Sequence, residues 1–169
     1  SETLSYNNLE NVKIICYGSI YMKSQEIETY LFDIRNCKNV EIVGLEVEST
    51  RDKTGVAPED HVRTDYSSSN IDPLYIYNCD YVNIRDCVFD NPNYGFYIRG
   101  LLDDNAEVKT KVVIDNVTVK NACMGCFVDR LLEFNVTNSS FYMASGLGVG
   151  DHAIYMARYI EKVNINSCY

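Results

Sequence analysis

The seven cysteines are the residues whose chemistry can be judged most directly from their spacing. Only Cys123 and Cys126 form a CxxC pair, so the two CxxC motifs typical of a structural zinc site are missing. An odd number of cysteines also leaves at least one thiol outside any set of disulfide bonds. We therefore predict buried free thiols without a catalytic role, and assembly of the protein in a reducing compartment.

A second group of residues combines aromatic rings with cations. The four rings occupy one corresponding place in successive short segments of alternating apolar and polar residues: Tyr75, Tyr97, Phe127 and Tyr155. Arg35 and Arg99 follow the same place by two residues in two of the segments. Exposed rings at regular spacing suit stacking of sugar rings on their apolar faces, and guanidinium groups suit anionic sugars. We predict that these six residues bind polysaccharide. Two alternatives remain: cover by a long loop at 48–73, or packing against another subunit.

Carboxylates spaced for hydrolysis of a glycosidic bond are harder to find. Asp33 and Asp129 lie three segments apart, and so do Asp72 and His152, which occupy one corresponding place. If the segments stack as neighbouring strands, each separation comes to about 14 Å. Glycosidases place their two carboxyl groups about 5 to 9.5 Å apart. The sequence therefore leaves the catalytic residues unknown, and it predicts no metal site.

An internal repeat must position these residues. Apolar residues recur at offsets 0, 2, 5 and 8 in three segments, 4–12, 32–40 and 74–82. Further copies begin at Phe96, Cys126 and Ile154. Extension to offsets 10, 13 and 15 gives three strand-like triplets per copy, in which only Ser19 and Ser139 are not hydrophobic. Alternation with a period of two is typical of β-strands, so we predict an all-β solenoid of about six rungs, each with three short strands.

The connections between triplets add four expectations. We predict a two-residue turn between the second and third triplets of every copy, starting with Ile15-Cys16. Asn116 and Asn138 are candidates for a side-chain amide ladder at this turn, although asparagine is also simply a good turn residue. Cys37 and Cys79 share an inward position in successive rungs and are predicted to stay reduced, packed one above the other. Extra length is predicted as a long loop at 48–73 and a shorter insertion at 102–111.

Two units resemble a known superfamily: Val82-Asn-Ile-Arg-Asp-Cys-Val-Phe-Asp-Asn followed by Gly95-Phe-Tyr-Ile, and Val112-Val-Ile-Asp-Asn-Val-Thr-Val-Lys-Asn followed by Gly125-Cys-Phe-Val. They are similar to rungs of the right-handed parallel β-helix of the pectate-lyase-like superfamily, and the likeness spans almost all 169 residues. The resemblance implies a functional outer face. Pectate lyases of this fold use an arginine as base with calcium held by acidic residues. Arg35 or Arg99 fits the first feature, but we find no matching acidic cluster, so no cofactor is predicted.

The net charge and the lack of long apolar runs restrict the kinds of partner that the chain can bind. The chain carries 24 acidic and 15 basic residues, and the net charge of −9 opposes binding to nucleic acids or to anionic membrane surfaces. No apolar run approaches the roughly 18 residues that a membrane span needs. The first residues, Ser1-Glu2-Thr3, are unlike the basic start of a signal peptide. We expect neither a nucleic-acid partner nor a membrane partner.

These features predict a single β-helix domain over residues 1–169, expected to be a segment of a longer protein because neither end carries a cap. The predicted function is carbohydrate-directed: binding or degradation of polysaccharide by a module of lyase or glycoside hydrolase type. Its location would be extracellular, as a secreted protein, or in a virion, as part of a phage tail spike. The alternative is a non-catalytic structural or adhesion scaffold that assembles as a homo-oligomer, a trimer in the case of a tail spike. Whether the chain is an enzyme stays open.

Overall fold

The structure is a computed structural model that describes residues 3–23, 29–50, 71–92, 94–103, 107–122, 124–143 and 152–169. These residues form three parallel sheets. Sheet A contains β1 (Leu4–Asn7), β4 (Thr29–Arg35), β7 (Ile71–Tyr77), β10 (Tyr94–Arg99), β13 (Met124–Asp129) and β16 (His152–Met156). Sheet B contains β2 (Asn11–Ile15), β5 (Asn39–Val43), β8 (Tyr81–Arg85), β11 (Lys111–Asp115), β14 (Leu131–Thr137) and β17 (Ile160–Asn166). Sheet C contains β3 (Ser19–Lys23), β6 (Glu46–Thr50), β9 (Val88–Asp90), β12 (Thr118–Ala122) and β15 (Ser140–Met143).

Among the described residues, the first five rungs each take consecutive strands from sheets A, B and C, and the sixth takes β16 and β17 from sheets A and B. Every third strand of the chain therefore returns to the same sheet. The pairs between neighbouring rungs are parallel, for example β10 with β7 and with β13. The described residues contain no helix. The predicted all-β parallel β-helix of six rungs is therefore confirmed.

The core lies inside the coil and consists of the residues that the repeat places inward. In the third rung all seven are buried, with 0 or 1% exposure: Leu74, Ile76, Cys79, Val82, Ile84, Cys87 and Phe89. Full burial of one such apolar side chain contributes about 1.5 to 3 kcal/mol relative to exposure. Ser139 is also inward and buried, and it is satisfied locally, because its hydroxyl donates to the Thr137 carbonyl (2.8 Å) and accepts from the Val117 N–H (3.1 Å).

The first rung departs from the sequence-based alignment by one residue. The pairing of β2 with β5 and of β3 with β6 leaves one more residue between β2 and β3 than between β5 and β6. The predicted two-residue turn at Ile15-Cys16 is therefore wrong for this rung. The longer turn exposes Tyr17 and brings Ile20 and Met22 against the core. Ser19 consequently faces outward, which explains why it broke the apolar pattern.

The rungs turn their corners through residues in the left-handed backbone region. Most of the non-glycine residues with positive φ are asparagines, at positions 8, 36, 78, 91, 116, 121 and 138. Asparagine tolerates this conformation better than other L-residues because its short amide bonds locally. At the corner between sheets A and B, the N–H groups of Asn36 and Asn78 donate to carbonyls of the next rung (2.9 and 2.7 Å).

Side-chain amides stack at that same corner. The Asn78 amide donates to Asn36 Oδ1 (2.8 Å), and the Asn36 amide donates to Asn7 Oδ1 (3.1 Å). The predicted ladder between Asn116 and Asn138 does not form, because their amides donate instead to aspartates. Asn116 donates to Asp86 Oδ1 (2.8 Å), and Asn138 donates to Asp115 Oδ1 (2.9 Å). A carboxylate is the stronger acceptor, so it takes the amide donor from a neighbouring amide oxygen.

Two glycines allow the close passage from sheet C back to sheet A. A Cβ atom on Gly95 would lie 2.4 Å from the Gly125 carbonyl oxygen, and one on Gly125 would lie 2.2 Å from the Ala153 carbonyl oxygen. Both glycines occupy the same place in adjacent rungs, directly before an inward phenylalanine or cysteine. The Gly-Phe-Tyr-Ile type of motif therefore reflects backbone packing between rungs.

Cys37 and Cys79 occupy one position in successive rungs, and both are buried with free thiols. Cys123 lies outside the described residues. The predicted loop at 48–73 is shorter than expected, since β6 continues to Thr50 and β7 starts at Ile71. Its remaining residues, 51–70, also lie outside the described part of the chain, as do 104–106 of the predicted 102–111 insertion.

Candidate functional site

An aromatic row runs along the outer face of sheet A. The pairing of β7, β10, β13 and β16 places its four members in register on adjacent rungs: Tyr75, Tyr97, Phe127 and Tyr155. Their ring centroids are 5.4, 4.3 and 5.3 Å apart in chain order, and successive planes differ by 14°, 3° and 20°. We call this row the aromatic ladder. The predicted ring residues are thus brought together.

The rings of the aromatic ladder face one another. Parallel rings whose centroids are 4.3 Å apart cannot lie side by side, because a phenyl ring is wider than that distance. The ring planes therefore stand across the ladder axis. Faces are hidden between neighbours, while edges and hydroxyl groups are left for solvent. Ring edges carry the positive part of the aromatic quadrupole, so this ridge favours oxygen-rich contacts over face stacking by a sugar.

Further side chains extend and support the ladder. Tyr30 packs on Tyr75 with centroids 4.8 Å apart, and His152 packs on Tyr155 at 5.1 Å. Tyr94 meets Tyr97 edge to face at 5.8 Å. The repeat could not show these contacts, because Tyr30, Tyr94 and His152 lie two residues before the inward position at which the alignment starts.

Arg35 lies at one end of the ladder and is paired with a carboxylate. Its Nε and Nη2 donate to the two oxygens of Asp33 at 2.7 and 2.9 Å, a bidentate pair. The hydrogen bonds that Arg35 donates to the Asp33 carboxylate raise the pKa of Arg35. The guanidinium carbon also lies 5.0 Å from the centroid of Tyr75, within the range of a cation–π contact. Arg35 therefore contributes little free positive charge.

Arg99 lies further along the same face, over the rings of Tyr97 and Phe127 at 5.4 and 5.9 Å. It donates to Asp129, whose carboxylate is fully buried, from Nη2 at 3.1 Å and Nε at 3.3 Å. A second arginine, Arg158, reaches the same carboxylate at 3.1 Å. Arg158 lies outside the positions that recur in every copy, so the repeat does not point to it.

Three members of the ladder carry phenol hydroxyls. Within the described part of the chain, the hydroxyls of Tyr75, Tyr97 and Tyr155 have no hydrogen-bond partner. Burial raises the pKa of Tyr97, so this phenol stays protonated at neutral pH and keeps its hydrogen-bond donor. All four rings of the ladder retain exposed surface, and Tyr155 is the most exposed at 39%. The ladder can therefore offer a row of donors and acceptors to a bound molecule.

The three aspartates of this sheet already have partners, two of them in ion pairs and one as a hydrogen-bond acceptor. Asp33 lies on β4 and Asp129 on β13, three rungs apart, and each is held by arginine. Asp72 is buried in β7 and accepts from the Tyr94 backbone N–H at 3.0 Å. His152 lies three rungs from Asp72 in the same sheet. These four residues form no pair suited to acid–base catalysis of glycoside cleavage.

Among the residues that the structure describes, no three His, Cys, Asp or Glu side chains cluster in a way that could hold a metal ion. The same residues include no helix long and apolar enough to cross a membrane. Comparison with protein-family models, curated proteins and solved structures finds no match to the chain.

Proposed function

We propose that this protein is a carbohydrate-directed module whose polysaccharide ligand lies along the aromatic ladder of sheet A. The observation that carries the proposal is the straight row of partly exposed rings with three unpartnered phenol hydroxyls, repeated at the spacing of the rungs. A polymer of repeating units suits such a surface because each rung can offer the same contact to each unit. The resemblance of the rungs to right-handed helices of the pectate-lyase-like superfamily supports the same function.

Contact through edges and hydroxyls distinguishes this mode from face stacking. Sugar hydroxyls both donate and accept hydrogen bonds, which matches the phenols of Tyr75, Tyr97 and Tyr155. The ring edges add weak C–H contacts to sugar oxygens. Because the carboxylates of this face are held by arginines, we propose binding of polysaccharide by these residues and assign them no cleavage step.

The location belongs to the same proposal. The six cysteines of the described residues carry free thiols, which suits assembly in a reducing compartment before release. A virion protein such as a phage tail spike is assembled in this way and then acts outside the cell. We therefore favour a virion or extracellular location, with polysaccharide as the partner.

A triple variant tests the function. Tyr75→Phe, Tyr97→Phe and Tyr155→Phe together remove the hydroxyls and preserve the stacking, since Phe127 already occupies the ladder. Each lost hydrogen bond is worth about 1 kcal/mol, so the loss of three should lower polysaccharide affinity by about a hundredfold in a glycan array or by calorimetry. The melting temperature should remain that of the wild type.

The matched control removes phenol hydroxyls elsewhere. Tyr21 and Tyr142 are exposed on sheet C, and their change to Phe should leave affinity unchanged. Equal binding by the triple variant and the wild type would contradict the proposal.

One observation favours a second function, a non-catalytic scaffold. The ring faces of the ladder are buried against each other and against Arg35 and Arg99, so the ladder also stabilises the stack of rungs. A scaffold needs this stability without any ligand. If the wild-type protein binds no polysaccharide and forms a stable homo-oligomer by ultracentrifugation, the scaffold is the better description.

A further inference from the structure

Charge is balanced unevenly along the face that carries the aromatic ladder. At the β4 end, Asp33 and Arg35 form a one-to-one pair in which two nitrogens meet two oxygens. At the other end, one carboxylate serves two cations, because Asp129 pairs with both Arg99 and Arg158. The second end therefore carries one unit of positive charge more than negative charge.

The geometry around Asp129 shows how the surplus arises. Arg99 Nη2 and Arg158 Nη2 both lie 3.1 Å from the same oxygen, Oδ2. The other oxygen, Oδ1, accepts the backbone N–H of Arg158 at 3.3 Å. Each guanidinium has five N–H donors, so most of the donors of the two arginines stay unused by Asp129.

The outer arginine is open to solvent. The side chain of Arg158 is 52% exposed, while that of Arg99 is 21% exposed and that of Asp129 is buried. Among the described residues, no carboxylate other than Asp129 lies within ion-pair distance of Arg99 or Arg158. Two like charges held close together are stabilised by a second anion, and here solvent or a ligand must supply it.

We infer that Arg158, with Arg99 behind it, binds a single oxyanion carried by the ligand, either a carboxylate or a sulfate. This inference rests on the proposed function and specifies its ligand class. Within the described part of the chain, the neutral pair at Asp33 offers no second anion site on this face. The protein as a whole also repels dense negative charge with its net charge of −9. The ligand is therefore a polysaccharide with acidic groups at wide intervals, and not one with an acid on every sugar.

The test compares three polysaccharides by calorimetry. Gellan carries one uronic acid in each repeat, polygalacturonate carries one on every sugar, and dextran is neutral. We expect the wild type to bind gellan more tightly than either of the others. Arg158→Gln should weaken gellan binding by about tenfold, as expected for the loss of a charge-assisted hydrogen bond, and should leave dextran binding unchanged.

Two further variants make the result specific. Arg158→Gln leaves Asp129 paired with Arg99, so the fold should be retained, and Arg158→Lys should keep part of the gellan affinity because it keeps the charge. The control Arg85→Gln changes the net charge equally, but Arg85 lies on sheet B and pairs with Glu41 and Asp86. It should bind gellan as the wild type does.

The outcomes separate the inference from the proposed function. Equal gellan binding by Arg158→Gln and the wild type overturns the inference, even where the ladder Phe variant shows that polysaccharide binds. Tighter binding of polygalacturonate than of gellan also overturns it. If no polysaccharide binds, but inorganic sulfate raises the melting temperature of the wild type and not of Arg158→Gln, the anion site stands and the proposed function fails.

Discussion

At the scale of single residues, the corners of the coil explain the asparagines of this sequence. Asn36 and Asn78 combine a left-handed backbone with an amide that bonds to the rung below. The repeat makes their position visible from the sequence alone. It does not show which acceptor each amide will choose, because that depends on the residue stacked beneath. Asn138, which bonds to Asp115, illustrates the limit.

Gly125→Ala tests the close passage between sheets C and A. The new Cβ would lie 2.2 Å from the Ala153 carbonyl oxygen and 2.5 Å from the Phe141 ring, so neighbouring backbone must move. We expect a loss of about 3 kcal/mol in the free energy of unfolding, measured by urea denaturation. Gly18→Ala is the control, because a Cβ there meets nothing within 4 Å. Equal stability of both variants would show that a Cβ atom fits at position 125 without displacing the neighbouring backbone.

The thiols of the core should react according to their burial. Burial raises the pKa of Cys79 to about 12 and that of Cys87 to about 11, so at pH 8 both are almost entirely protonated. We expect native protein to be alkylated by iodoacetamide far more slowly at these two cysteines than at the partly exposed Cys168, as followed by mass spectrometry. The rate at Cys79 should rise as the pH approaches its pKa.

Two results would contradict this expectation. One is equal alkylation of Cys79 and Cys168 in folded protein. The other is a peptide crosslinked through Cys37 and Cys79, recovered after alkylation under denaturing conditions.

At the scale of strands, the stabilising contacts of the aromatic ladder are not visible in the sequence. Alternation identifies Tyr75, Tyr97 and Phe127 as outward residues, and outward residues are ordinarily solvated. The orientation of the rings depends on spacing between rungs and on the arginines over them, and both are tertiary properties. The pairing of Arg99 and Arg158 through Asp129 was invisible for the same reason.

Tyr97 at the centre of the ladder provides a test at this scale. It stacks on Tyr75 and Phe127, meets Tyr94 edge to face and lies under Arg99. Tyr97→Ala therefore removes three ring contacts and one cation–π contact. We expect the free energy of unfolding to fall by about 2 to 3 kcal/mol. Tyr97→Phe retains these contacts and should stay within about 0.5 kcal/mol of the wild type. Urea unfolding of both variants measures the difference, and an unchanged Tyr97→Ala would mean that the stacking is energetically neutral.

The register in which strands of neighbouring rungs pair also belongs to this scale. The sequence predicts this register wherever the repeat is unbroken. The first rung shows the exception. Because one extra residue reverses the direction of every side chain that follows, Ser19 faces outward and Ile20 faces inward. The sequence can be aligned with either Ser19 or Ile20 at the inward position of β3. The pairing of β3 with β6 decides between these two alignments.

At the scale of the whole molecule, the fold is a stack in which each rung contacts its neighbours along the axis. This is why the number of rungs and the all-β class could be predicted from the sequence. Both follow from the repetition of one inward pattern, independent of any single contact. The row of outward rings could be placed on sheet A by the same pattern, while the pairing of charges beside it could not.

Equivalent positions in different rungs should contribute differently to the free energy of unfolding. Ile84 and Ile165 occupy the same inward place on β8 and β17, but Ile84 is fully buried and Ile165 is 42% exposed. We expect Ile84→Ala to cost about 3 kcal/mol and Ile165→Ala less than about 1 kcal/mol. Thermal unfolding followed by circular dichroism measures both. A larger loss for Ile165→Ala would show that β17 is more important to cooperativity than its burial indicates.

At the corner from sheet C to sheet A, the connecting segments vary in length while the pairing of the strands stays the same. Its connecting segments, 24–28, 51–70, 91–93, 123 and 144–151, differ widely in length, yet β4, β7, β10, β13 and β16 pair in uninterrupted register. The strands on either side of this corner thus keep their register whatever the length of the segment between them. For a laboratory this makes the corner a grafting point, where a foreign peptide can be displayed beside a rigid surface. In evolution, insertions at this corner could change the surface that contacts a ligand while the stacked strands stay the same.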